Sequence, residues 1–180
     1  CSFHAFEAHE HQARMTRKIL EEEVTTPLIL FCEHDTSMIG DIPFDDLCSV
    51  LLDGNLNYIR FNIFDKIPDE HKYLMLGQTE VVRLIKQGER GEKRFLFERT
   101  IQWSQRPHIA KTQWYRELLN DFFKPDAKTM IEDVMHSVVQ VAYDSMKKDT
   151  FGLAIYTPEG NQLRSYHSDA RQQDTKIIDG

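Results

Sequence analysis

The stretch from Tyr73 to Trp103 constrains the fold more than any other: "YLMLGQTEVVRLI" (73–85), the polar "KQGERGEK", then "RFLFERTIQW" (94–103). Two runs rich in β-branched and aromatic residues, joined by a short polar segment containing Gly88 and Gly91, read as a β-hairpin. In the second arm Phe95, Phe97, Ile101 and Trp103 point one way while Arg94, Glu98, Thr100 and Gln102 mix on the other, the pattern of a half-buried antiparallel strand.

Helical spacing surrounds this hairpin. From about residue 7 to 25 the chain lacks Gly and Pro, and Met15, Ile19, Leu20 and Val24 recur on one face until Pro27 ends or kinks the helix. "PLILFCEH" that follows is either a buried strand or a helical continuation past the kink; periodicity does not decide. "IPFDDLCSVLLDGN" places Phe44, Leu47, Val50 and Leu51 on one helical face and stops at Gly54 as a glycine C-cap. "LNYIRFNIF" alternates Ile59, Phe61 and Ile63 with Asn57, Arg60 and Asn62, a strand pattern with a helix as the alternative. "TQWYRELLNDFF" is a short helix ended by Pro125. Asp126 then N-caps a long helix, 127–147, striped by Ile131, Val134, Met135, Val138, Val139, Ala142 and Met146. A final strand carries Phe151, Leu153, Ile155 and Thr157 on one face and closes in the turn Thr157-Pro-Glu-Gly160. The expected fold class is therefore α+β: a mainly antiparallel sheet with a hairpin, one face packed against a long helix and shorter helices.

The chain has 180 residues with 41% hydrophobic and 28% charged, enough for one domain with a core and without a linker to divide it. Its longest apolar run, 27–32, is far short of the roughly 20 residues of a membrane span, so no membrane partner is expected. A net charge of −7 and the lack of basic runs argue against direct nucleic-acid binding. Three cysteines without CxxC spacing argue against a disulfide framework or structural zinc and suit a reducing compartment, nucleus or cytosol. A first residue that is Cys, with no apolar leader after it, suggests a chain beginning inside a longer protein.

Residue types that carry chemistry are scattered. His4, His9 and His11 are the densest histidine group, but His9 and His11 lie about 200° apart on a helix and cannot share one ion. A divalent-metal nuclease is the alternative function: His34 (beside Asp35), Asp69 (after Pro68) and Glu80 occur in the order such sites use, with Lys86 or Lys93 to steady the attacking water. Glu80 is followed by Val81 and Val82, however, so the Glu-x-Lys spacing is missing. No nucleophile elbow is present, and Cys32 and Cys48, in apolar surroundings, read as inert core thiols. Gly88-Glu-Arg-Gly91 is too short for a phosphate-binding loop.

The ordered set "HEHQARMTRKILEEE", "FDDLCSVLLDGN", "EKRFLFERTIQW", "MIEDVMHSVVQVAYDSM" and "TFGLAIYTPEG", followed by a polar tail, resembles the HORMA domain of spindle-checkpoint and meiotic chromosome-axis proteins. Asp45-Asp46-Leu47-Cys48 looks like the meiotic pattern, and Phe151 to Thr157 looks like the strand preceding that family's safety belt. Pro27 and the strand-like 55–72 depart from it. The resemblance implies one HORMA-like domain over 1–180 with 161–180 as a belt-like segment. Its function would be non-enzymatic: capture of a short closure-motif peptide by β-augmentation. The peptide-binding edge would be Arg94, Phe95, Leu96, Phe97, Glu98, Arg99, Thr100 and Ile101, and the belt Asn161, Gln162, Leu163, Arg164, Ser165 and Tyr166, poorly anchored so that it opens. The implied partner is a peptide of another axis protein or of the chain's own tail, giving head-to-tail self-assembly in a nuclear setting. No catalytic residue, metal or cofactor belongs to this reading.

Overall fold

The computed structural model describes residues 11–63, 67–84, 92–158 and 162–167, with backbone alone for 80–84, 92, 93 and 167. In chain order the elements are α1 (Gln12–Glu22), β1 (Leu28–Phe31), β2 (Thr36–Met38), α2 (Phe44–Asp53), β3 (Tyr58–Phe61), a 3₁₀ turn (Asp69–Leu74), β4 (Met75–Leu84), β5 (Glu92–Thr100), β6 (His108–Lys111), α3 (Thr112–Phe122), α4 (Ile131–Met146), β7 (Leu153–Tyr156) and β8 (Ser165–His167). The fold class is α+β, as expected. The open question over 27–34 resolves as the strand β1, and "LNYIRFNIF" holds the strand β3.

Six strands form a mixed sheet in the order β1-β6-β3-β7-β5-β4, and β2 and β8 form a separate pair. Within the larger sheet every neighbouring pair is antiparallel except β3 and β7, which run parallel from Tyr58↔Leu153 to Phe61↔Tyr156. All four residues of β3 and of β7 are buried. Helices cover both faces, which corrects the expectation of a one-sided sheet. Tyr58, Ala110 and Leu153 pack under α1, α3 and α4, whereas Ile59, Phe61, Ile109, Ala154 and Tyr156 pack against Leu47, Val50 and Leu51 of α2. Strands sandwiched in this way have no solvent face, so Arg60 and Asn62, which alternation assigns to the outside, are buried too.

The hairpin is present as β4 and β5, in register from Gly77↔Arg99 to Leu84↔Glu92. The loop 85–91 lies outside the described residues. Tyr73 and Leu74 belong to the 3₁₀ turn, and β5 stops at Thr100. Beyond it Ile101 leaves the ladder and donates its N–H to Leu74 O, so the alternation breaks. Phe95 and Phe97 then pack on the α2 side while Ile101 and Trp103 pack on the other, a correction to their shared face.

Two arginines tie α1 and α3 together reciprocally. Arg17 of α1 donates to the last carbonyls of α3, Leu119 O and Phe123 O, and Arg116 of α3 donates to Leu20 O and Val24 O at the end of α1. Each cation thus sits on carbonyls at the negative end of the other helix. The long helix begins later than its sequence suggests. Lys124 to Ala127 form a turn, and α4 starts at Ile131, whose N–H is met by Gln12 Oε1 of α1 at 3.1 Å; the Asp126 cap is corrected accordingly. Its buried stripe is the narrower Ile131, Met135 and Val139, with Met146 exposed.

Two close approaches fix the central strands. Gly152, entering β7, has φ +66°, and a Cβ there would sit 2.8 Å from Asn55 O. Asp149 caps this bend by accepting the Gly152 N–H at 2.9 Å while pairing with Arg99. Gly54 is extended, not left-handed, at the end of α2; its constraint is space, since a Cβ would lie 2.6 Å from Val50 O. Below the sheet, fully buried His108 stacks on Phe31 and Tyr115 beside Tyr58 and Trp103. Burial pushes its imidazole down to about 3, against the opposing pull of the Arg106 carbonyl 2.7 Å from Nδ1. It is a neutral core ring.

Candidate functional site

Two features meet at the carboxyl end of β3: a docked C-terminal segment and a small cleft walled by apolar and polar side chains. Asn62, one residue past β3, belongs to both.

Residues 162–167 run extended along this end of the sheet. Asn62 O accepts the N–H groups of both Arg164 (3.1 Å) and Ser165 (3.0 Å), and Ile39 N–H donates to Arg164 O at 3.1 Å. Three residue pairs then join β8 to β2, Thr36↔His167, Ser37↔Tyr166 and Met38↔Ser165. Asn62 Nδ2 also donates to Gln162 O at 3.0 Å. Side chains lock the register. Ser165 is fully buried with Oγ within 3.3 Å of Phe61 O and 3.2 Å of Asn62 O. Arg164 is buried against Gly40, where a Cβ would come within 3.1 Å of its guanidinium. The polar composition of this segment suggested a poorly anchored belt; the segment 162–167 is docked by these contacts. It is seated mainly through backbone, which a polar sequence supports as well as an apolar one. Leu163 and Tyr166 are half-buried and Gln162 is exposed; Asn161 lies outside the described residues.

The expected peptide edge, 94–101, is not an edge. β4 pairs with β5 along its whole length, and β7 occupies the other flank from Phe97↔Tyr156 to Arg99↔Ala154, extended by Thr157 N–H to Leu96 O at 3.1 Å. Phe95, Phe97, Thr100 and Ile101 are buried, Leu96, Glu98 and Arg99 are half-buried, and Arg94 alone of the set is exposed. The strand β7, which looks like the one preceding a belt, fills the middle of the sheet. The borders among the described residues are the outer sides of β4 and β1.

A small cleft open to solvent lies between the end of β3, the 3₁₀ turn and the segment after β5. Its polar lining is Arg60, Asn62, His71, Gln102 and Arg106. Arg60 is 5% exposed and donates to Gln102 Oε1 at 3.1 Å. Burial, and then the Arg60 charge, hold Arg106 down at about 10, with Glu132 of α4 pulling the other way. Burial likewise lowers Arg60, opposed by Tyr58 and Glu132. Tyr58, whose hydroxyl donates to Ser104 O, is raised by the same burial.

The residues of the nuclease alternative are dispersed. His34 is exposed in the turn before β2, and Asp69 is exposed and paired with Lys72 at 2.6 Å. Glu80 stands opposite Leu96 and Lys93 opposite Arg83, three rungs apart on the hairpin ladder. Among the described residues no three His, Cys, Asp or Glu side chains are grouped to hold a metal. Lys86, His4 and His9 lie outside the described residues. Cys32 is exposed, a correction to its core placement, and Cys48 is half-buried. Both thiols are pushed up, Cys32 by partial covering and Cys48 by burial and then Asp45, the direction opposite to an activated nucleophile. Among the described residues no helix is long and apolar enough to cross a membrane.

In comparison with known proteins, the chain matches no family model and no curated protein. The site therefore rests on its geometry.

Proposed function

We propose that this chain is a non-enzymatic interaction domain that captures an extended peptide by strand addition. The receiving surface is β2 together with the backbone carbonyl of Asn62, the place its own residues 162–167 hold. The observation that supports this reading is the mode of seating. Two N–H groups on Asn62 O, one carbonyl on Ile39 N–H and a three-pair ladder are backbone contacts that any extended segment makes. The pockets for Arg164 and Ser165 add selectivity. In HORMA terms, this reading moves the peptide site from 94–101 to the β2 side and makes 162–167 a latch in its closed position. The partner is the tail of a second copy or a short motif of another chromosome-axis protein, in a nuclear setting.

A segment tethered in the same chain competes at millimolar effective concentration, so a ligand in trans binds best when the latch is weakened. Ser165→Pro removes the N–H to Asn62 O and the hydroxyl contacts in one step. A fluorescent peptide spanning 161–170 should bind the full chain carrying Ser165→Pro at least about tenfold more tightly than the unaltered chain. Equal or undetectable binding to both chains would refute strand capture at this site.

A further inference from the structure

The two seated side chains of the C-terminal segment, Arg164 and Ser165, are held in opposite ways. Ser165 is fully buried, and its hydroxyl lies 3.3 Å from Phe61 O and 3.2 Å from Asn62 O. Both are carbonyls of the receiving surface, so the group placed there must be small and must donate a proton. Arg164 is 7% exposed, yet its side-chain bonds stay within its own segment: Nη1 donates to Leu163 O and Nη2 to Gln162 Oε1, each at 3.0 Å. Its Nε is buried and meets no acceptor among the described residues. What the surface gives this guanidinium is room. Gly40 has no side chain, and a Cβ there would come within 3.1 Å of Nη1. Residues 162 and 164 of an extended strand share a face, which lets the Gln162 carboxamide reach the guanidinium. A planar fork holds two separate acceptors at once, whereas an ammonium is a compact, strongly hydrated point charge that enters a buried seat at higher cost. The N–H groups of both residues are bonded to Asn62 O, which excludes proline at either position.

We propose that this seat is specific for the core Gln-x-Arg-Ser, so that a strand captured from another chain carries that core with an unmodified serine. The free position is that of Leu163, which is half-buried and gives the guanidinium its carbonyl rather than its side chain. An acidic or phosphorylated residue in place of the serine would bring negative charge against two carbonyl oxygens and be repelled. The demand made on a captured strand rests on the strand-capture reading; the selectivity of the seat for the chain's own segment does not.

Native-state amide exchange of the full chain tests the seat in cis, through the opening of 162–167. Arg164→Lys keeps the charge and Arg164→Met the length, but neither holds both acceptors, and each should raise the open population about tenfold. Ser165→Val adds bulk and removes the donor, and should raise it at least as much. Gln162→Met keeps the size of the side chain without its acceptor and should open the segment by about threefold, whereas Gln162→Glu retains an acceptor for Nη2 and should dock as the unaltered chain does. In trans, labelled peptides spanning 161–170 with the same changes are titrated onto the chain carrying Ser165→Pro. Their affinities should fall in the same order, and a peptide phosphorylated at Ser165 should not bind up to about 1 mM. The specificity is overturned if Arg164→Lys or Ser165→Val leaves the segment docked as in the unaltered chain, or if the phosphorylated peptide binds as tightly as the plain one. If the order holds in cis and no peptide binds in trans, the specificity of the seat stands and strand capture falls.

Discussion

The β3–β7 and β2–β8 pairs are both short ladders joining segments far apart in the chain, Tyr58 with Leu153 and Thr36 with His167, yet they hold the chain by different means. In β3–β7 every residue is buried and both faces are covered, so each rung is backed by apolar contact on two sides. In β2–β8 only Thr36 of β2 is buried, Ser37 is exposed and Met38 is half-buried. Hydrogen bonds to Asn62 and the two pockets supply most of what remains. Backbone pairing alone contributes little net free energy because water competes for the same groups, whereas buried apolar area is cumulative. The first ladder should therefore part only when the whole domain unfolds. The second should part at a lower free energy, without the rest of the domain.

Substitutions that act on one ladder and spare the other sharpen this contrast. The largest effect belongs to Leu153→Ala, which empties a fully buried position in β7: urea denaturation should show a loss of about 2–5 kcal/mol in global stability. Next comes pH. His108 has a folded value near 3 against 6.5 for the free side chain, so below 6.5 the unfolded chain binds the extra proton. Stability is full above that value and falls as pH drops from 6.5 toward 3, by roughly 1.4 kcal/mol for each unit. His108→Phe keeps the stacked ring and should flatten that slope.

Smaller effects come from two glycines at positive φ, Gly152 and Gly40. Gly152→Ala forces a Cβ against Asn55 O at a positive φ and should lower the global midpoint by about 1–3 kcal/mol. Gly40→Ala, at φ +68° beside the Arg164 guanidinium, should instead leave the urea midpoint of β3 and β7 within about 1 kcal/mol of the unaltered chain. Its mark should be faster amide exchange at 162–167. Ser165→Ala removes hydroxyl contacts to Phe61 O and Asn62 O and should promote the same local opening by about 1 kcal/mol.

How much of this was legible follows from the same contrast. The hairpin arms, α3 and the stripe of α4 announce themselves because one face of each is apolar and the other polar, and periodicity measures that difference. The order of strands does not. Nothing in Tyr58–Phe61 or Leu153–Tyr156 marks them as parallel neighbours, and β5 reads as a border through the resemblance alone, whereas it is paired on both flanks. The cleft was hidden for a related reason: Arg60 in "NYIRFNIF" is a cation in a strand buried on both faces, but alternation assigns it to water. His71, Gln102 and Arg106 come from separate segments, and only the fold brings them to Arg60. The C-terminal segment was found by its place in the chain, while its polar composition concealed a seat built from main-chain atoms.

Native-state hydrogen exchange of the full chain tests the division between permanent and removable strands most directly. The amides of Arg164 and Ser165, both bonded to Asn62 O, should exchange through an opening that is insensitive to low urea and well below the global free energy. That of Asn57, bonded to Gly152 O, and those of the β3–β7 ladder should exchange only through global unfolding. If the Arg164 and Ser165 amides exchange with the same free energy and the same urea dependence as the β3–β7 amides, the C-terminal strand is an inseparable part of the core and cannot act as a latch.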